Sequence, residues 1–168
     1  MNILSPVISN FPVAATTNKF IAKDNFVVNT EDPAVVKISH VGDNFKKWFI
    51  NKIEGPAIAS IICGRDLTKD SLDELILKEL GGQEKAETTL TEIFVMMKNQ
   101  ANGSAGNLLT NGYSNIFYVR DIKNMLRAVR VDWDDGGWDV GACSVEHPDW
   151  WDAGDRVFSR NRSEVQNA

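Results

Sequence analysis

The stretch 126–133 alternates apolar and polar side chains. Val129, Val131 and Trp133 are separated by Arg130 and Asp132, and four turn formers, Asp134-Asp135-Gly136-Gly137, follow directly. Period-two alternation sends successive side chains to opposite faces of a pleated strand, which predicts one dry face and one wet face. Asp-Gly and Gly-Gly tolerate the positive φ of a tight hairpin, so the chain turns straight back on itself. Residues 116–120 (Ile-Phe-Tyr-Val-Arg), 138–145 and 157–160 read as further strands, connected through 121–124 and 146–155. Together they predict an antiparallel four-stranded meander over about residues 115–161.

A dry sheet face needs a cover. Thr89 and Glu92 have the spacing of a capping box, and Leu90, Ile93, Phe94 and Met97 follow at i, i+3, i+4 and i+7. This amphipathic helix has the length and apolar face to back the meander, so the expected class is α+β in two layers. At this spacing Met96 and Met97 read as core rather than as a docking surface. Upstream, Ser71 with Glu74 suggests a second capping box, with Leu72, Leu75, Ile76 and Leu80 behind it and Gly81-Gly82 as the stop. Asp43 is placed to cap a third helix carrying Phe45, Trp48, Phe49 and Ile53, ended by Gly55-Pro56. The apolar run 57–63 predicts a buried strand that stops at Gly64, and 20–29 and 34–39 predict two short strands. Residues 99–114, rich in Asn and Gly, read as a flexible connector.

At 168 residues the chain has room for one domain, expected over 20–168, with residues 1–19 as a flexible arm or secretion signal. Residues 1–18 hold no charged side chain, and Pro6, Asn10 and Pro12 interrupt any apolar core that a Sec signal would need. In composition this uncharged, Ser- and Asn-containing start resembles the N-termini of type III secreted effectors.

The residues Asn115-Ile116-Phe117-Tyr118-Val119-Arg120-Asp121, Arg127-Ala128-Val129, Trp133-Asp134 through Gly137-Trp138, Ser144-Val145-Glu146 and Arg156-Val157-Phe158-Ser159-Arg160-Asn161 resemble the pattern of an uncharacterised bacterial protein family. The resemblance reaches back through Leu108-Leu109-Thr110-Asn111-Gly112 to Leu80-Gly81-Gly82 and spans about residues 80–161. It implies no activity. The family pattern has Asn-Gly in the first hairpin turn, where this chain has Lys123-Asn124-Met125.

Between Asp132 and Asp155 there are eight acidic residues, no Lys or Arg, and four of the five tryptophans, Trp133, Trp138, Trp150 and Trp151. Indoles offer flat apolar area and carboxylates attract a cation or a basic partner, so this window is the candidate binding face. Trp133 and Trp138 read as cross-strand core residues. The binding residues are accordingly expected to be Trp150, Trp151, Asp149, Asp152, Asp134 and Asp135.

Other chemistries fit less well. Asp132, Asp134, Asp135 and Asp139 lack the spacing and the twelfth-position Glu of a calcium loop. No phosphate-loop or dinucleotide pattern is present, because Gly103, Gly106 and Gly112 follow a helix rather than a strand. No metal and no cofactor is expected. A thiol hydrolase or transferase would need Cys143 or Cys63 with His147, or Cys63 with His40, and sequence proximity says nothing about that geometry. The net charge of −5 repels phosphate backbones, and no apolar run reaches the roughly 18 residues of a membrane span. The expectation is a non-enzymatic interaction protein with a protein partner and no nucleic acid, in the bacterial cytoplasm or exported to a host cell. The alternative is the small cysteine enzyme.

Overall fold

The computed structural model describes residues 2–146 and 149–160. In chain order the elements are β1 (Ser9–Val13), β2 (Phe20–Ile21), α1 (Ala22–Asn25), β3 (Ile38–Val41), α2 (Asp43–Phe49), β4 (Ile53–Glu54) and β5 (Ser60–Asp66). They continue with α3 (Asp73–Glu79), α4 (Gln83–Ala86), β6 (Glu87–Thr88), α5 (Leu90–Asn99), β7 (Asn115–Arg120), β8 (Leu126–Asp134), β9 (Gly137–Ser144) and β10 (Arg156–Arg160). The class is α+β, with a mixed eight-stranded sheet among the described residues.

Strands β7, β8 and β9 pair antiparallel in sequence order, with Phe117 opposite Val129 and Val129 opposite Ala142. At the β8–β9 turn Asp135 and Gly136 take φ of 55° and 77°, the positive values that the Asp-Gly pair was expected to supply. Asn124, in the β7–β8 turn, also has positive φ (63°).

The predicted fourth meander strand does not extend this series. β10 pairs antiparallel with β5 and runs parallel to β7 through Arg156 and Val157, so the sheet order is β1-β5-β10-β7-β8-β9-β3, with β6 parallel to β7 as the eighth strand. The reason lies in its side chains. Val157 and Phe158 point to opposite faces and both are buried, which a central position satisfies and an edge beside β9 would not. That edge is taken by β3, which runs parallel to β9.

The sheet also lacks the wet face predicted for it. Phe117, Val119, Val129, Val131, Trp138, Val140 and Phe158 face one core, shared with α2 and α5. Ile116, Tyr118, Leu126, Ala128 and Val157 face a second, shared with Ile76 and Leu77 of α3, Leu4 and Leu67. β7 is therefore buried on both sides from Asn115 to Val119, while β8 keeps partly exposed polar side chains at Arg127, Arg130 and Asp132. Apolar burial on both faces, at about 25 cal/mol per Å², is what holds the layers together.

Several local expectations are refined. The Thr89–Glu92 capping box forms, and α5 starts at Leu90. A second carboxylate, Glu54, accepts the free N–H groups of Leu90 and Thr91 at 3.0 and 2.8 Å. The Ser71 box does not form: Leu72 is the N-cap of α3 without a side-chain bond, and the Ser71 hydroxyl donates to the Lys69 carbonyl instead. Ser71 is occupied by backbone pairing to Trp151, which fixes its side chain away from the helix. α2 ends at Phe49, so Ile53 belongs to β4, and of the predicted strand 20–29 only Phe20–Ile21 is extended before α1. β5 runs through Gly64, where a side chain would meet Ser9 Oγ at 2.7 Å and the Phe158 ring at 3.0 Å. Gly64 thus permits close packing rather than ending the strand. Within the expected arm 1–19, Leu4 and Val13 are buried and residues 9–13 form the edge strand β1, paired with β5. The apolar side chains read as an uncharged arm are what dock it.

Candidate binding pocket

Residues 151–155, which lead into β10, pack against the second face of the sheet and are fastened there by hydrogen bonds. Trp151 exchanges two backbone bonds with Ser71, of 2.9 and 3.0 Å. Ala153 N–H donates to Asp70 Oδ1 and Gly154 N–H to the Leu67 carbonyl. The carboxylate of Asp155 accepts Ser114 N–H at 2.8 Å and Asp152 N–H at 2.9 Å. Burial, partly offset by these two N–H groups, holds the Asp155 carboxyl above the usual carboxylate range.

Under this strap lies a pocket of about 270 Å³ lined by Asp73, Arg130, Ala142, Cys143, Asp149, Trp150 and Trp151. Asp73 opens α3 and is only 1% exposed. Its Oδ1 accepts two short bonds, from the Tyr118 hydroxyl and from Trp151 Nε1, each 2.7 Å. Charge-assisted bonds of this kind compensate much of the cost of burying a carboxylate. Burial, and then the negative Asp73, push the Tyr118 hydroxyl well above its ordinary pKa, so it stays a proton donor. One tryptophan of the adjacent pair is thereby fixed inward. The other, Trp150, is 59% exposed at the rim.

Arg130 forms the opposite wall. A side chain at Gly141, its cross-strand neighbour, would meet the guanidinium at 2.8 Å, so glycine lets Arg130 lie across β9. The guanidinium bonds Asp132 at 2.9 Å and reaches Asp139 at 3.8 Å. Asp139 also meets His40 Nδ1 at 3.2 Å. Burial holds Asp132 above the usual carboxylate range although Arg130 opposes the shift, and its Oδ1 is buried without a hydrogen bond.

Of the sequence candidates, Asp149, Trp150 and Trp151 line the pocket. Asp134 and Asp135 sit at the far end of the β8–β9 hairpin, Asp134 roughly 13 Å along β8 from Arg130 at ~3.3 Å per residue and Asp135 beyond it in the turn. Asp152 lies on the strap beyond Trp151, exposed. Trp133 and Trp138 make an edge-to-face pair at 5.2 Å, with Trp138 fully buried and its Nε1 donating to the Gln100 carbonyl. Asp132 and Asp139 are cross-strand partners around Arg130, an arrangement unlike a calcium loop. Among the described residues no group of three or more His, Cys, Asp or Glu is placed to hold a metal ion.

The thiols sit far apart. Cys63, on β5, is buried and donates to the Ser159 carbonyl at 3.3 Å. His40 lies five strands away across the sheet, roughly 24 Å at ~4.8 Å per step, and so does not pair with it. Cys143 faces the pocket, where burial and then Asp73 push its thiol up to about 11. That suppresses the thiolate a nucleophile needs. His147 lies outside the described residues.

Asp73, Tyr118 and Arg130 were not among the candidates read from sequence. Asp73 looks like an ordinary first-turn acid of a helix, and Tyr118 an ordinary strand aromatic. No spacing links either to Trp151. Among known proteins, the chain matches no family model, no curated protein and no solved structure. The resemblance over residues 80–161 therefore stands on its residues alone. No helix of the described residues is long and apolar enough to cross a membrane.

Proposed function

We propose that this chain is a non-enzymatic bacterial interaction protein that engages a partner protein through its acidic, tryptophan-bearing face. The observation that carries the reading is Trp150, a large aromatic left 59% exposed beside the pocket while its neighbour Trp151 is anchored to a buried carboxylate. An exposed indole on a fastened strap loses little further freedom on binding, which favours it as an interface anchor. Asp149 beside it and the net charge of −5 favour a partner of basic surface. A hydrolase or transferase using Cys143 has less support, because the environment of that thiol disfavours its reactive form.

Placing a photo-crosslinking side chain at position 150, and separately at the exposed Val35, tests this in the producing cell. The expected result is a discrete protein adduct from position 150 alone, abolished when excess unlabelled protein competes but not by a Trp150→Ala competitor. Equal adducts from both positions would refute it. Export through a type III system is part of the same proposal, with the uncharged residues 1–18 as the signal. Because Leu4 and β1 are built into the fold, the test is fusion of residues 1–20 to a reporter rather than their deletion. Retention of the fusion in the cytosol of a strain with an active secretion system would remove export from the proposal.

A further inference from the structure

We propose that a groove along α5 binds a small organic acid, its apolar body on Phe20, Phe94 and Val95 and its anionic group at Lys19 and Lys98. Phe20, Phe94 and Val95 pack on the first core and Trp151 on the second, so this site lies across the sheet from the strap. It does not depend on the interaction reading above.

The floor is one flank of α5. Thr91, Phe94, Val95 and Lys98 stand at i, i+3, i+4 and i+7 and so share a face, apolar in its middle and cationic at its end. The wall is the segment 15–19 between β1 and β2, fastened at both ends. Thr16 N–H donates to the Ala57 carbonyl at 2.9 Å, and Ala57 N–H donates to Thr16 Oγ1 at 2.7 Å. Phe20 and Ile21 then pair with Glu54 and Ile53 of β4. The rings are fixed as well. Phe20 and Phe94 lie 5.6 Å apart, and both meet the buried Phe26, at 6.0 and 5.6 Å. Floor and wall are thus formed before any ligand arrives, which lowers the cost of binding. The volume between them, about 440 Å³, falls within the roughly 300–1,000 Å³ of ordinary small-molecule clefts.

The charge of the groove is set by two side chains. Among the described residues, Lys19 and Lys98 are its only ionisable lining, both are exposed, and neither makes an ion pair or hydrogen bond. Glu54, which accepts the Thr91 hydroxyl, is already matched by Lys52 at 3.3 Å and by the Leu90 and Thr91 N–H groups. The neighbouring α1 carries one charge of each sign, Lys23 and Asp24. The groove therefore presents two unspent positive charges on a chain of net charge −5. An anion is attracted here and repelled by the average surface. A bare inorganic anion would leave the phenyl floor unused, and a neutral apolar compound would leave the lysines unused.

The test titrates the full chain with two fluorescent probes of the same ring system, the anionic anilinonaphthalenesulfonate and the neutral phenylnaphthylamine. The sulfonate is expected to bind on the order of tenfold more tightly. Lys19→Gln and Lys98→Gln should each weaken it on the order of threefold, and the double variant about tenfold, as loss of exposed charge contacts implies. Neither change should alter binding of the neutral probe. Both lysines are exposed, so the variants fold, which an unchanged far-ultraviolet spectrum verifies. On the 15N-labelled chain, the sulfonate should shift backbone N–H signals within 15–25 and 91–98. Octanoate should displace it, and octylamine and inorganic phosphate should not.

Equal affinity for the two probes, or sulfonate binding untouched by the double variant, would overturn the proposal in favour of a plain apolar groove. Shifts confined to other segments would overturn it outright. Displacement by an end-capped glutamate amide as strong as that by octanoate would assign the groove to an acidic side chain of a protein partner instead. Crosslinking at position 150 reads the opposite side of the sheet, so its success or failure leaves this result unchanged.

Discussion

Replacing Tyr118 by Phe removes one oxygen from the interior and nothing else. Tyr118 is fully buried in the second core, so the ring packing survives, and only the 2.7 Å bond to Asp73 Oδ1 is lost. A hydrogen bond to a charged group contributes about 1.5–3 kcal/mol. For a chain of 168 residues, where each kcal/mol moves Tm by about 2–4 °C, a loss near 2 kcal/mol lowers Tm by about 4–8 °C. Asp73→Ala is expected to cost more, about 3–5 kcal/mol, because it strands two donors, Tyr118 Oη and Trp151 Nε1, with ~1–3 kcal/mol for each unsatisfied group. The decisive measurement is the double variant. Once Asp73 is Ala, the Tyr118 hydroxyl has lost its partner, so removing it becomes neutral or stabilising. Urea unfolding followed by circular dichroism gives all four stabilities, and unchanged slopes confirm that the unfolded reference is common to them. Additivity within about 0.3 kcal/mol would refute the reasoning, since residues in one network must couple. A loss under about 0.5 kcal/mol for Tyr118→Phe alone would refute it equally.

Three further outcomes are expected. Glu92 is buried, holds Arg160 through both carboxylate oxygens, accepts the Ser60 hydroxyl at 2.6 Å and closes the α5 capping box. Glu92→Ala should therefore cost about 3–5 kcal/mol in urea unfolding and Glu92→Gln distinctly less, because Gln can keep the box. Asp132, with its carboxyl raised by burial, contributes stability that is fully present below the unfolded value of about 3.9 and is lost as pH rises through the folded value. Asp132→Asn avoids that loss, so the variant gains on the natural chain as pH rises from about 3 to 7; a pH-independent difference in thermal unfolding would contradict the sign. Cys143, with its thiol pushed up to about 11, should react with a disulfide reagent at pH 7.5 on the order of twentyfold slower than an ordinary thiol of pKa about 8.5, the loss of thiolate being partly offset by its greater nucleophilicity. Fast labelling of Cys143 in the folded protein would restore the cysteine-enzyme reading.

What was legible in the sequence is what neighbours in the chain decide between themselves. The α5 start is written in Thr89 and Glu92, three residues apart, which bond to each other. The β8–β9 hairpin is written in Asp135-Gly136, because those residues tolerate positive φ. The alternation that built β8 also separated Trp133, a core residue, from Asp132, a polar one. The same local logic failed at Ser71, where a backbone partner 80 positions along the chain, Trp151, outcompeted the helix cap.

The tertiary structure alone decided the sheet order and the pocket. Strand chemistry says that β10 must be buried on both faces, and several sheet positions would satisfy that; its place between β5 and β7 depends on where the strap can be fastened. The hydrogen-bonded cluster at the pocket gathers Asp73, Tyr118 behind it and Trp151 from separations of 45 and 78 residues. A buried carboxylate is tolerable only when distant donors converge on it, and no local pattern encodes that convergence. The sequence by itself determined an α+β chain with an acidic, tryptophan-rich end. Only the packed sheet decided that Trp151 turns inward to a carboxylate while Trp150 is left facing outward.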